Sequence, residues 1–320
     1  MYLLGFDIGG TKCAVITARY AGGELAIVGR DSIPTDRSVS PYEMIDRLVT
    51  IADRILEEKP CAIGISCGNP LDTKNGKIMS PPNLPGWDNI EIVRVLEEHY
   101  GVRAYLQNDA DACAIAEWRF GAGKGTQNMV FMTFGTGFGA GLILDGRLYS
   151  GTNGNAGEVG HVRLDRLGPV GYGKAGSWEG FCSGGGISQL AYMKATEMAQ
   201  GGKYPSFFKK GMNASDITAK SVAEAAREGD GCALEVWRIC GEYLGRGLSI
   251  VIDILNPERI VIGSIFARSR DLLWNEAEKQ IRQEVLAPSF ECCEVVPAAL
   301  GEQIGDYGAI TVALYGEGIF

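Results

Sequence analysis

Apolar positions Leu3, Leu4, Phe6 and Ile8, a polar interruption at Gly9-Gly10-Thr11-Lys12, and a second apolar run from Ala14 to Ile16 predict two strands joined by a tight reversal. A third apolar segment, Glu24 to Ile33, extends this to a three-stranded meander. Pro41 to Glu58 then carries Met44, Ile45, Leu48, Ile51, Ala52, Ile55 and Leu56 at helical spacing and stops before Pro60. Cys61 to Ser66 reads as a buried strand, Ser80 to Trp87 as a proline-stiffened loop, and Ile90 to Tyr100 as a helix closed by Gly101. A strand over Val102 to Leu106 and a helix over Ala112 to Phe120 follow. This succession of strands and helices predicts an α/β lobe with a mixed sheet.

The pattern then starts again. Met129 to Phe134 is apolar, Gly135-Thr136-Gly137 interrupts, Phe138 to Leu144 is apolar again, and Gly146 to Tyr149 supplies a third segment. Laying Gly9-Gly10 on Gly135-Thr136 puts Asp7 on Thr133. A repeated meander argues for two related lobes, because internal repetition reports on the whole fold rather than on one turn. The boundaries expected are 1–120 for the first lobe and 121–305 for a larger second one, with Gly121 to Gly125 between them. A last helix, within about 306–320, is expected to pack back on the first. The second half continues through a glycine-rich tract, Gly151 to Gly186, and helices over Ile187 to Met198, Thr218 to Arg227 and Ala233 to Leu255. A strand at Arg259 to Ile262, a helix over Asp271 to Val285 and a strand at Glu294 to Val296 complete it. Gly201 to Asn213 fits no regular element.

The 320 residues carry a net charge of −9. That balance argues against a nucleic-acid partner, whose phosphates call for clustered Lys and Arg. Nine cysteines with no CxxC pair read as reduced thiols in a cytoplasmic protein. No apolar run reaches membrane-spanning length, and the chain enters its first strand without a basic leader, so neither membrane insertion nor secretion is expected.

Three groups of residues carry candidate chemistry. The turn at Gly9, Gly10, Thr11 and Lys12 offers backbone amides, a hydroxyl and an ammonium to phosphate oxygens, while Asp7 is placed to reach a divalent cation through water. A plain hairpin is the alternative. Asn108-Asp109 follows a strand, where α/β sheets present ligand-contacting groups. A carboxylate there suits a general base that takes a proton from an alcohol as it attacks phosphorus. The same two residues also suit the capping of the helix behind them. Glu158 and His161, three residues apart in a glycine-rich segment, could meet vicinal hydroxyls, or simply bond one another; Glu179 adds a carboxylate among aromatics.

Taken together, Asp7-Ile8-Gly9-Gly10-Thr11-Lys12, Pro82-Asn83-Leu84-Pro85-Gly86-Trp87, Asn108-Asp109-Ala110, Gly135-Thr136-Gly137-Phe138-Gly139, Glu158-Val159-Gly160-His161 and Glu179 resemble, in order and spacing, the ROK family of repressors, uncharacterised reading frames and sugar kinases. The resemblance implies an α/β fold of two lobes with duplicated ribonuclease H-like (actin/hexokinase-type) architecture and an interlobe cleft. It implies ATP-dependent phosphorylation of a hexose or related sugar, glucokinase-like, by a cytoplasmic protein that is commonly a homodimer. Asp109 would be the base. Gly68, Asn69, Asn83, Asn108, Glu158, His161 and Glu179 would meet the sugar. The turns at Gly9 to Lys12 and at Thr133, Gly135, Thr136 and Gly137, together with Gly263, would hold ATP, and Asp7 would serve Mg²⁺ through water.

Three departures qualify these expectations. Where the family carries a cysteine-rich zinc loop, this chain has Val170, Tyr172 and Ser177, so no structural zinc is expected and the loop should be held by packing of Tyr172 and Trp178. Gly263-Ser264-Ile265 stands where a run of glycines approaches adenine. No winged-helix segment precedes Met1, which disfavours the repressor branch. The competing expectation is a sugar-binding sensor or scaffold of the same fold that has lost transfer. Among kinases, N-acetylmannosamine, N-acetylglucosamine, fructose, allose and β-glucosides are alternatives to glucose.

Overall fold

The computed structural model describes residues 1–320. The chain forms two compact units. The first comprises Met1–Gln127, Gly141–Ala156 and Ala299–Phe320; the second comprises Asn128–Ala140 and Gly157–Ala298.

Two five-stranded sheets follow one plan. In the first, β1 (Tyr2–Ile8), β2 (Lys12–Ala21), β3 (Glu24–Pro34), β4 (Ala62–Cys67) and β5 (Ala104–Asn108) run in the order β3-β2-β1-β4-β5. In the second, β6 (Met129–Phe134), β7 (Phe138–Leu144), β8 (Arg147–Leu148), β9 (Arg259–Ile262) and β10 (Glu294–Pro297) run in the order β8-β7-β6-β9-β10. The meander pairs β1 with β2 and β2 with β3 antiparallel, whereas β1 with β4 and β4 with β5 are parallel. In the second sheet β7 and β8 are antiparallel, and β9 lies parallel to both β6 and β10. The repeat expected from the sequence is a repeat of strand order.

In the first unit every residue of β4 is buried, the pattern of a parallel strand covered on both faces. On one face Met44, Ile45, Leu48 and Ala52 of α1 (Pro41–Ile55), with Ile92 and Leu96 of α2 (Ile92–Tyr100), meet Leu4, Phe6, Ile63 and Ile65. On the other, Ala309, Ile310, Ala313 and Leu314 of the C-terminal helix (Ile304–Gly316) meet Leu3, Ala14, Ile16 and Ala62. Gly64 makes this second contact possible: a Cβ there would lie 1.9 Å from the Ala309 carbonyl oxygen.

In the second unit Trp178, Trp237, Phe131, Phe134 and Phe266 are fully buried. No helix is long and apolar enough to cross a membrane.

Helix starts depart most from the sequence expectations, each for a local reason. The helix α3 (Asp109–Phe120) begins three residues before Ala112 because the Asn108 side chain caps it, accepting from the amides of Ala110 at 2.9 Å and Asp111 at 3.3 Å. After the short α4 (Trp178–Phe181), α5 (Gly184–Gln200) starts inside the glycine tract, capped by Ser183. Its Gly186 is a packing glycine, since a Cβ would lie 2.0 Å from the Gly180 oxygen. Beyond α6 (Ala219–Arg227) and α7 (Gly231–Leu255), α8 (Ile265–Glu284) begins six residues before Asp271 and is kinked at Ser269. Residues 201–213 hold no helix or strand, but Phe207 and Phe208 are buried there.

Candidate active site

Within the first unit, β1 delivers Asp7 to the edge of the turn, and the Gly9 amide donates to the Lys12 oxygen at 3.2 Å to close it. Thr11 and Lys12 are exposed at its tip. The glycines serve close approach here. A Cβ on Gly9 would lie 2.8 Å from the Lys12 oxygen, and one on Gly10 2.4 Å from the Asn83 oxygen. The Thr35 hydroxyl donates to the Gly9 oxygen at 2.6 Å, and Arg37 Nη2 donates to the oxygens of Gly10 at 3.3 Å and Asn83 at 3.5 Å. The glycine turn and the proline-rich loop therefore form one packed piece. Gly10→Ala is expected to cost about 1–3 kcal/mol by forcing Asn83 away, readable as a lowered urea midpoint. A midpoint equal to the wild type's would refute this packing.

Asp7 is largely buried, and its carboxyl is pushed up to about 6, first by burial and then by the charges of Asp109 and Asp306; Lys12 and Arg30 pull the other way. Arg30 Nε donates to both oxygens of Asp306, at 3.0 and 2.8 Å, while Gly305 leaves room for Asp7, whose Oδ2 lies 3.0 Å from where a Cβ would stand.

Asp109 opens α3 directly after β5. It is exposed between buried Asn108 and Ala110, and one oxygen accepts from the Ala110 amide at 2.8 Å. The other oxygen lies 4.0 Å from where a Gly68 side chain would begin. The capping alternative thus applies to Asn108, whose Oδ1 is occupied and whose Nδ2 is left for other partners. Asn69 Nδ2 donates to the Gly154 oxygen at 3.4 Å, and Asn83 is exposed.

Within the second unit a corresponding set converges. The Thr133 hydroxyl accepts from the Gly139 amide at 3.0 Å, across its own hairpin. Glu179 Oε2 accepts from the Phe138 amide at 3.1 Å and lies 3.1 Å from where a Gly137 Cβ would stand. Gly160, in the turn Val159–His161, would meet the Phe138 oxygen at 2.0 Å and Glu179 Cβ at 3.3 Å if it bore a side chain. Exposed Glu158 and half-buried His161 flank it. The turn at Gly135, Thr136 and Gly137 therefore shares one neighbourhood with Glu179 and the histidine segment.

That turn also opens on a cavity of about 790 Å³, lined among others by Thr136, Ser188, Lys220, Arg227, Ser264 and Arg268. Lys220, Arg227 and Arg268 stand beside the glycine turn, Lys220 3.8 Å from Glu224 on the same wall and Arg227 paired with Asp271 at 2.9 Å, and the volume is that of a small-molecule site. Periodicity alone gave no reason to single out these positions on α6 and α8. Gly263 is buried and does not line the cavity. Ser264 lies on its wall with φ 53° and ψ −111°, a conformation glycine adopts more readily, and its Oγ accepts from Arg268 Nη2 at 3.1 Å.

No group of three or more His, Cys, Asp or Glu gathers at metal-binding spacing. Mg²⁺, usually held by one or two carboxylates plus water and substrate phosphates, still suits Asp7, whose ionised form a nearby cation would favour. Zinc does not fit. Val170, Tyr172 and Ser177 supply no thiolate, and Ser177 Oγ accepts from the Gly180 amide at 3.1 Å to cap α4. Trp178 holds this loop as expected, buried against Gly247 and 4.9 Å from the Phe138 ring centre. Tyr172 does not fill the loop: it is 65% exposed.

A duplicated α/β plan of two five-stranded sheets, each with a glycine turn between its first two strands, is the two-lobed fold of the ROK hexokinase-type structures. The ROK family model matches residues 3–315. A glucokinase of Thermotoga maritima is 31% identical over 318 residues, covering 97% of this chain and 96% of that one. The crystal structure of a ROK family glucokinase from Streptomyces griseus, in complex with glucose and AMPPNP, superposes with a TM-score of 0.78 at 27% identity, covering 99% of this chain and all of that one. The Escherichia coli DNA-binding transcriptional repressor Mlc is 28% identical over 250 residues, 76% of this chain and 59% of the repressor. The chain belongs to the ROK family.

Proposed function

We propose that the protein is an ATP-dependent sugar kinase that transfers the γ-phosphoryl group to a hexose hydroxyl, with glucose the first candidate. The observation that carries this reading is Asp109, an exposed carboxylate fixed at the start of α3 and facing the side-chain-free surface of Gly68. In that role Asp109 accepts the hydroxyl proton as the sugar oxygen bonds to phosphorus and ADP leaves. Gly68, Asn69, Asn83, Asn108, Glu158, His161 and Glu179 bind the sugar. The Gly9 to Lys12 and Thr133 to Gly137 turns, with Gly263 and the cavity beside Ser264, bind the nucleotide. Asp7 would hold Mg²⁺ through water, and the ion would supply charge neutralisation at the phosphates. The glucokinase relatives support the reaction class, and the glucose and AMPPNP bound to the Streptomyces griseus enzyme support the ligand classes. A cytoplasmic homodimer is part of the proposal.

The test is ADP release measured across glucose, mannose, fructose, allose, N-acetylglucosamine, N-acetylmannosamine and a β-glucoside. Sugar-dependent release is the expected result. Calorimetric sugar binding without any release would establish the second reading, a sugar sensor, which the strained Ser264 and the repressor relative favour.

The proposal also excludes zinc. Protein stripped of metal, repleted and desalted is expected to contain well under one zinc per chain by mass spectrometry, with an unchanged thermal midpoint. Stoichiometric zinc would overturn the point.

A further inference from the structure

Tyr172 breaks the local rule of its turn. Val170–Gly171 and Lys174–Ala175 form a two-stranded ribbon whose connecting residues, Tyr172 and Gly173, both have positive φ, 43° and 75°. Such two-residue turns favour Asn-Gly, because a large side chain in the left-handed region is strained. Burial does not offset that strain, since Tyr172 is 65% exposed. What the conformation achieves is a contact: the phenol ring meets the His161 imidazole edge to face, with centroids 5.0 Å apart at 88°. The next ribbon residue grips the same histidine from its backbone, as Lys174 Nζ donates to the His161 carbonyl oxygen at 2.6 Å. Gln189 anchors the other ribbon strand by a reciprocal pair with Val170, accepting from its amide at 3.0 Å and donating to its oxygen at 2.9 Å.

We propose that Tyr172 is a positioning residue for His161, and that the strained turn is kept because it holds the imidazole in its sugar-binding orientation. This rests on the reading of His161 as a sugar contact. Backbone strain that burial does not offset, next to a functional side chain, is the pattern expected of a site residue.

The experiment compares Tyr172→Asn, which gives the turn its preferred sequence but removes the ring, with Tyr172→Phe, which keeps the ring. Tyr172→Asn is expected to melt at or above the wild-type temperature while its KM for sugar rises roughly tenfold and kcat falls less. Tyr172→Phe is expected to match the wild type in both. A second readout needs no activity. The chain has two histidines, so in a His99→Gln background the imidazole NMR signals belong to His161 alone. Their ¹³C relaxation should report a looser imidazole in Tyr172→Asn and an unchanged one in Tyr172→Phe, a readout that loss of the phenol's ring current does not itself move. A sugar KM within twofold of wild type in Tyr172→Asn overturns the proposal, as does unchanged imidazole relaxation in that variant. If the wild type phosphorylates no sugar, the kinase reading fails, and the NMR comparison still decides whether Tyr172 holds His161.

Discussion

Asp109→Asn is expected to lower turnover by at least about 10²-fold while leaving sugar affinity and stability nearly unchanged. The substitution is close to isosteric, and an asparagine oxygen can still accept the Ala110 amide that Asp109 accepts at 2.8 Å. Asn108 keeps capping α3 through its own two bonds. The structural change is one negative charge lost at a helix start, worth about 0.3–1 kcal/mol at an exposed position. What cannot survive is proton acceptance, because a neutral amide is not a base at neutral pH. Removing the charge also relieves Asp7, whose carboxyl Asp109 pushes up, so Asp7 should ionise more readily in the variant. The change therefore works against activity at the base and slightly in its favour at Asp7, and the loss should dominate. The check is steady-state ADP release beside a calorimetric sugar titration and a melting curve. Turnover within threefold of the wild type would remove Asp109 from the proposed role.

The sequence disclosed the fold through repetition, and it pointed to the candidate site through polar residues stranded at the ends of apolar runs. Both signals are local. Strand order follows from where apolar segments recur, and Asp7 and Asp109 stand out because each lies at the C-terminal end of a strand, Asp7 one residue before the end of β1 and Asp109 directly after β5. The missing part lies in contacts distant in sequence. Nothing near Arg37 announces that it would hold Gly10 and Asn83 together, and Lys220 and Arg268 look like ordinary exposed faces of helices. Glycine-rich stretches misled most, since glycine reads as a break. At Gly160 and Gly186 it is instead a contact surface, each lying about 2.0 Å from a backbone oxygen once a Cβ is built. The start of α5 was hidden for that reason. Tyr172 was expected to pack inside its loop because aromatic residues usually bury, whereas its turn geometry turns the ring out toward His161.

Glu117 shows what such distant contacts hold in place. It sits on α3 two turns after Asp109, is fully buried, and was indistinguishable in the sequence from any helical glutamate. Its Oε2 accepts from the amides of Ala122 at 2.7 Å and Ala299 at 3.2 Å, and its Oε1 accepts from Leu300 at 2.8 Å. Gly121 is required beside it, because a Cβ there would lie 2.0 Å from Oε2. One carboxylate thus ties the end of α3 to the segment that leads into the C-terminal helix, whose first turn carries Gly305 and Asp306 beside Asp7. Glu117→Ala leaves three partly buried amides without their acceptor, and it is expected to destabilise the protein by at least about 3 kcal/mol. Glu117→Gln should lie between the two, since an amide side chain offers one acceptor oxygen where two are in use; about 1–3 kcal/mol is expected. Urea or thermal unfolding checks the order. Because the tether reaches the neighbourhood of Asp7, kcat at a temperature where Glu117→Gln remains folded should also fall, while a surface control such as Glu98→Gln should leave it unchanged. A Glu117→Ala midpoint within error of the wild type's would mean that α3 and the C-terminal helix are aligned by apolar packing alone.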